Sequence, residues 1–235
     1  MLWLFVTVVV VLCGASGCRV MSQGYNSEGV RLYQQGQYQG AIDRFQRALY
    51  NDPSDADSYY NLAATHHRLG KLQNNQTELE QAESYYNQCL DHDPDHADCY
   101  RGLAVLLTEQ NRSEEAFRLM QGWVNRQPSL AQPKIELARL YDEFGDRERA
   151  KEFLLEALAV DAYNARALAA LGKLYEELGN HTQALAVYQR SLWHNRLQPE
   201  VAARVAALQS ALGPGPLADP GAGTRTAVSS APVYQ

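Results

Sequence analysis

The chain has 235 residues, enough to bury a core of its own, and carries a formal net charge of −6 with a pI near 5.5. That balance, with no block of Lys or Arg, argues against a nucleic-acid binder, because neutralising phosphates needs clustered cations. Four cysteines, two of them within the first 18 residues, are too few and too unevenly placed for a disulfide framework.

The first element in chain order is an apolar run, MLWLFVTVVVVLC, with no charged residue before Arg19. Leu2 to Leu12 spans ~17 Å as a helix, about half of a bilayer's hydrocarbon core. The run therefore suits a signal-peptide segment, residues 1–17, better than a membrane span. The small residues Ala15, Ser16 and Gly17 ahead of Cys18 suit a peptidase pocket. An uncleaved anchor and an ordinary cleaved leader are the alternatives.

Past Cys18 the chain repeats itself. The stretches QGQYQGAIDRFQRALYNDP, QNRSEEAFRLMQGWVNRQP, FGDRERAKEFLLEALAVDA and LGNHTQALAVYQRSLWHNR align with one another. Ala41, Ala82, Ala116, Ala150 and Ala184 follow at steps of 41, 34, 34 and 34 residues. Gly36, Gly70, Asn111, Gly145 and Gly179 keep the same rhythm, with the long step one place later. Leu62, Leu103, Leu137 and Leu171 recur seven places into the last four units. Pro53, Pro94 and Pro128 close the first three. Each unit predicts two helices: the Gly or Asn residues end helix A in the left-handed conformation, and the recurring alanines let helix B approach closely. Ser113, with Glu114 and Glu115 behind it, reads as a helix cap. The recurring tyrosines Tyr59, Tyr86, Tyr141, Tyr175 and Tyr188 read as core or near-core.

Three departures stand out. The 41-residue step predicts a polar loop in the stretch 73–80, followed by an early helix start at a Thr77/Glu80 capping box. Trp123 fills a slot that is otherwise small, which reads as local packing. The turn HDPDHADC collects His92, Asp93, Asp95, His96, Asp98 and Cys99, residue types that can hold zinc. Two aspartates at a helix start explain it without a metal, and no metal or cofactor is expected. Cys89 and Cys99 either pair as a disulfide or pack as small hydrophobes. His66 and His67 read as one core-side and one inner-face residue.

After the fifth unit, residues 199–212 begin with Pro and carry Val201, Val205, Leu208 and Leu212 on one face, which predicts a closing helix. Residues 213–235, rich in Gly, Pro, Ser and Ala, are expected to be disordered.

These patterns resemble two known families. Ala15-Ser16-Gly17-Cys18 is similar to the lipobox of bacterial lipoproteins, which implies lipidation of Cys18, anchorage to an envelope membrane and a short tether (18–21) ahead of the repeats. Ala15 stands where Leu is usual in that motif. Arg19 after the cysteine resembles lipoproteins sorted to the outer membrane. The repeats resemble the tetratricopeptide family. That likeness implies an all-α, right-handed α-solenoid of five helix pairs, 22–55, 56–96, 97–130, 131–164 and 165–198, closed by a capping helix.

The tetratricopeptide likeness also implies a concave groove lined by the A helices. Carried over residue by residue, its lining is Asn26, Tyr33 and Gln34 from the first unit and Tyr60, His67 and Arg68 from the second. The third supplies Arg101, Thr108 and Glu109, and the fourth Ile135, Arg139, Asp142 and Glu143. Arg166, Lys173, Glu176 and Glu177 complete it. Tyr and Arg anchor partners well and paired charges set register. The chaperone-binding members of the family grip a terminal carboxylate with a Lys/Asn/Asn/Lys/Arg set. The matching positions here are Asn26, Val30, Asn61, Asp98 and Gly102, of which one fits, so that activity is not expected.

The layout implies a non-catalytic scaffold or adaptor, with a protein or peptide partner and neither nucleic acid nor a small-molecule substrate. It is similar to that of tetratricopeptide lipoproteins serving pilus or outer-membrane assembly. The alternatives are a regulatory subunit of an envelope enzyme, such as a peptidoglycan hydrolase adaptor, or an enzyme with a metal site at the His92–Cys99 turn.

Overall fold

The computed structural model describes residues 20–213, and all regular structure among them is helical. The leader, Cys18 and the tail beyond Gly213 lie outside the described residues. None of the described helices is long and apolar enough to cross a membrane.

Among the described residues eleven helices follow one another: α1 (20–34), α2 (Tyr38–Asn51), α3 (Ala56–Gln73), α4 (Gln76–His92), α5 (Ala97–Glu109) and α6 (Ser113–Arg126). The remainder are α7 (Ala131–Glu143), α8 (Arg147–Val160), α9 (Ala165–Glu177), α10 (His181–His194) and α11 (Pro199–Leu212). Odd-numbered helices α1 to α9 are the A helices and even-numbered ones the B helices. Because α1 is already helical at Val20, residues 20 and 21, expected to belong to the tether, are part of the first helix.

Each helix packs on its neighbours in sequence, so the core runs as a continuous seam along the molecule. The recurring alanines, Ala41 to Ala184, sit at the centre of each pair and are 0–1% exposed. Where a B helix carries a large ring in the next slot, helix A answers with glycine. A Cβ on Gly172 would fall 2.6 Å from the Tyr188 ring, and one on Gly29 would fall 2.5 Å from Phe45. Successive A helices α3/α5, α5/α7 and α7/α9 also touch one another, whereas successive B helices make no comparable contact. A stack whose A helices crowd together must curve toward them, so the A helices line its inner face.

Gly36, Asn111, Gly145 and Gly179 take the left-handed conformation after α1, α5, α7 and α9. Gly70 does not. It lies inside α3, packed so closely under Leu79 that a Cβ would fall 2.5 Å from it, and Asn74 (φ 50°) supplies the left-handed residue four places later. The extra residues of this unit are therefore not a polar loop. They lengthen the pair to 18 and 17 residues, against 13 or 14 in the later units, and leave only Asn74 and Asn75 between the helices. A helical turn with an apolar contact inside it satisfies its own backbone, which a loop cannot do. The cap is also displaced: the Asn75 side chain, not that of Thr77, accepts the Thr77 backbone N–H at 3.0 Å. Ser113 likewise is the first helical residue of α6. Arg112 precedes it and makes ion pairs with Glu115 and Glu83.

Trp123 is fully buried and stacks on Tyr100 at 4.1 Å between ring centroids; its indole N–H donates to Asp95 at 3.1 Å. The large ring is thus both packed and satisfied. At the far end α11 covers α10, with Leu208 buried and Val201 and Val205 against Tyr188 and Ala184. Leu212 remains 44% exposed and takes no part in that seam.

Candidate functional site on the inner face

The residues expected to line a groove lie on the A helices, but most of their charge is spent within the molecule. Polar contacts bridge neighbouring A helices along the stack. Asn61 donates to Asn26 at 2.8 Å, joining α3 to α1. Between α3 and α5, His67 and Lys71 both meet Glu109, at 2.9 and 2.5 Å. Burial pushes the Glu109 carboxyl up, but the adjoining Lys71 and His67 outweigh it and hold it below its ordinary range. His66 is also buried; it pairs with Glu78 at 2.6 Å and stacks on Tyr85, so only His67 turns to the inner face.

The densest contact lies between α5, α7 and α9. Glu136 is fully buried and accepts from Arg101 at 3.0 and 2.5 Å, from Arg166 at 2.9 Å, from Arg139 at 3.3 Å and from Gln132 at 2.9 Å. Burial alone would raise the Glu136 carboxyl; the hydrogen bonds and charges of Arg101 and Arg166 outweigh it and leave it below its ordinary range. Sequence reasoning missed Glu136. The available signal was an acid in the helix A slot that is Asn61, Gly102 and Ala170 in other units, within reach of three groove arginines. Farther along, Lys173 bridges α9 to Asp142 at 3.0 Å, and Arg204 of α11 pairs with Glu176. Glu176 also accepts from Tyr188 at 3.2 Å, whose phenol is pushed up to about 12 by burial and by that carboxylate.

Three hollows open along this face among the described residues. One of 240 Å³ lies between α1 and α3, lined by Tyr33, Gln34, Tyr60 and Asn61 over Phe45. A second, 360 Å³, lies between α7 and α9 with α8 beneath; its floor is Ala138, Ala150, Leu154 and Leu174, and its rim holds Arg139, Asp142, Arg166 and Lys173. The third, 700 Å³, lies between α9 and α11 and shares Ala169, Ala170 and Lys173 with the second. Of the expected lining, Ile135 is 5% exposed and belongs chiefly to the core beside Ala131 and Ala157. Thr108 hydrogen-bonds its own helix backbone at Val105. Arg68 reaches Tyr38 at 3.5 Å, and Tyr60 stacks on His96, its phenol raised by burial first and by Asp98 second. The alanines that make the distal hollows were not foreseen.

The HDPDHADC turn is used for packing. His92 stacks on Tyr59, Asp95 accepts from Trp123 and Gln127, and Asp98 pairs with Arg101. Cys89 and Cys99, both fully buried, are joined by a disulfide that ties α4 to α5. Among the described residues Cys89, Cys99 and His96 form the one cluster of metal-ligand type, with ligand atoms within 4.8 Å. In this state the two sulfurs are bonded to each other. His96 Nδ1 accepts the Cys99 backbone N–H at 3.2 Å, and Nε2 lies 3.0 Å from Asp57.

Comparison with known proteins agrees with this geometry. Family models described as TPR repeat and tetratricopeptide repeat match residues 29–70, 76–134, 131–164 and 167–202. The chain belongs to the tetratricopeptide-repeat family. The gap between the first two matches falls at residues 71–75, where the lengthened pair turns. A solved tetratricopeptide-repeat protein from Thermus thermophilus, TTC0263, is 26% identical, with a TM-score of 0.59 over 80% of this chain and 99% of that one. Pseudomonas aeruginosa pilF shares the fold, at 19% identity and a TM-score of 0.53 over 83% of this chain and 86% of that one. Among curated proteins, human protein O-mannosyl-transferase TMTC3 is 25% identical over 169 residues, which is 68% of this chain and 18% of that protein. The TPR repeat-containing protein MJ1428 of Methanocaldococcus jannaschii is 23% identical, over 72% of this chain and 30% of that one. The chain thus spans about a fifth to a third of the curated relatives it matches. A tetratricopeptide-repeat solenoid is typically a non-catalytic module that binds protein or peptide partners.

Proposed function

We propose that this tetratricopeptide-repeat protein is a non-catalytic scaffold, held at a bacterial envelope membrane through lipid on Cys18, whose inner face docks a partner protein of an envelope assembly. The observation that carries the docking reading is the pair of adjoining hollows between α7, α9 and α11, which open on the face where the A helices converge. Apolar floors with a polar rim on a rigid helical frame suit a protruding peptide segment. The tether reading rests on the apolar leader and on Ala15-Ser16-Gly17-Cys18. With helix already present at Val20, a lipid on Cys18 would leave the first repeat close to the bilayer surface.

The experiment is affinity capture from crosslinked envelopes with the wild type, Ala169→Glu and Cys18→Ser. Ala169 lines both hollows and helps build no core cluster, so a longer side chain there blocks the site without unfolding the helix. The scaffold reading expects a partner that is retained by wild type and lost with Ala169→Glu, and release of Cys18→Ser into the soluble fraction. Identical partners from wild type and Ala169→Glu would overturn the inner-face reading. Cys18→Ser remaining membrane-bound would overturn the lipid tether.

A further inference from the structure

The hollow between α7 and α9 has a more particular chemistry than a generic groove, and the inference here rests on the docking reading above. Its floor is aliphatic, built from Ala138, Ala150, Leu154 and Leu174. Five ionisable side chains line it, but they are unequally available. Glu136 is buried and saturated by three guanidiniums and an amide. Asp142 is largely covered, its side chain 23% exposed, and is engaged by Lys173. The cations face outward: the side chains of Arg166 and Lys173 are 56% and 61% exposed. Arg139 contributes more. Its Nε donates to Glu136 and its Nη1 to Glu143, while Nη2 is shielded from solvent and has no hydrogen-bond partner. A buried guanidinium N–H without an acceptor is costly, and a ligand oxygen would relieve that cost.

We infer that this hollow recognises a carboxylate flanked by aliphatic side chains, that is, an internal acidic-aliphatic segment of the partner polypeptide. The aliphatic groups enter between α7 and α9 over Leu154 and Leu174. The carboxylate lies at the rim, drawn by the exposed Arg166 and Lys173, and Arg139 Nη2 adds a donor once its side chain turns toward the hollow. Charge-assisted bonds beside a desolvated floor are stronger than at an open surface. The occupant is set by this charge complementarity: Arg166 and Lys173 pair with Glu136, Asp142 and Glu177, but they are the more exposed members of those pairs, so the rim presents cations outward.

The test uses the purified protein and fluorescein-labelled peptides blocked at both ends, so that no terminal carboxylate contributes. A Leu-Glu-Leu core in a Gly/Ser frame is compared with Leu-Lys-Leu and Ser-Glu-Ser cores by anisotropy. Leu-Glu-Leu should bind at least about tenfold more tightly than either control. Ala169→Glu should weaken it about tenfold, while Ala169→Lys, a side chain of similar reach, should leave it unchanged or tighter. Equal binding of Leu-Glu-Leu and Leu-Lys-Leu, equal losses in the two Ala169 variants, or no saturation by about 1 mM peptide would each overturn the inference. If these fail while Ala169→Glu still loses the envelope partner, the docking reading stands and only the ligand chemistry falls. Failure of the peptide test together with unchanged partner capture by Ala169→Glu removes the site.

Discussion

Two stretches of the inner face look alike in sequence and behave differently in the fold. The middle, between α3 and α7, and the distal part, between α7 and α11, both present arginines on their A helices and a glutamate at the same repeat position, Glu109, Glu143 and Glu177. In the middle, Arg101 is spent on Glu136 and Asp98, and Glu109 on His67 and Lys71, so the A helices are laced shut. In the distal part α9 is also bridged to α7, by Arg166–Glu136 and Lys173–Asp142, but its side chains shrink to Ala169 and Ala170 between those bridges and the rim cations stand over a hollow. A charged residue on a solenoid's inner face is therefore a fastener or a recognition group according to what lies opposite it. The spacing that places it there does not decide which.

That contrast predicts a graded set of effects. Glu136→Ala removes the shared acceptor of three guanidiniums. Because those arginines are still partly solvated, the cost falls below that of a fully buried pair, at about 2–3 kcal/mol, read from urea melts. Its pH dependence follows in sign. The Glu136 carboxyl is held below its ordinary value near 4.5, so its stabilisation is complete above that value and is lost as pH falls through the lowered one. Glu136→Gln should flatten the acid limb of a stability–pH curve; an unchanged limb would remove Glu136 as a fastener. Next, Gly172→Ala forces a methyl against the Tyr188 ring and should cost about 1–3 kcal/mol. It should not affect capture by the α7–α9 hollow unless α9 shifts. Asn75→Ala removes the cap of the lengthened α4 and should cost about 1 kcal/mol. Ala169→Glu should change the melting temperature least, since it meets no core neighbour, while abolishing partner capture. A variant that loses both stability and capture would erase the distinction between fastener and docking site.

Much of the fold was legible because a repeat states its architecture several times over. The alanine rhythm located each close helix pair, and Val201 and Leu208 located the closing helix. The errors fell where one unit departs from the rhythm. Gly70 read as a helix end because glycines at its equivalents end helices; here Leu79 needs the space a missing Cβ provides, and a tertiary contact overrode the local signal. The Thr77/Glu80 pattern lost to Asn75 for the same reason, once α3 had run an extra turn. On the inner face the sequence told which residues share a face but not how they pair, because a bond such as Arg101–Glu136 spans 35 residues and depends on the angle between successive units. The hollow was harder still to foresee, since it is made by small residues that carry no functional signature.

The most direct test of the central claim is site-specific photo-crosslinking in native envelopes, with a benzophenone amino acid placed at Ala169 in the distal hollow or at Arg118 and Glu156, which are exposed on the B helices α6 and α8. The account predicts a discrete crosslinked partner from Ala169 and none from Arg118 or Glu156. Crosslinks from the outer positions with none from Ala169 would contradict it and move the docking surface to the other side of the solenoid.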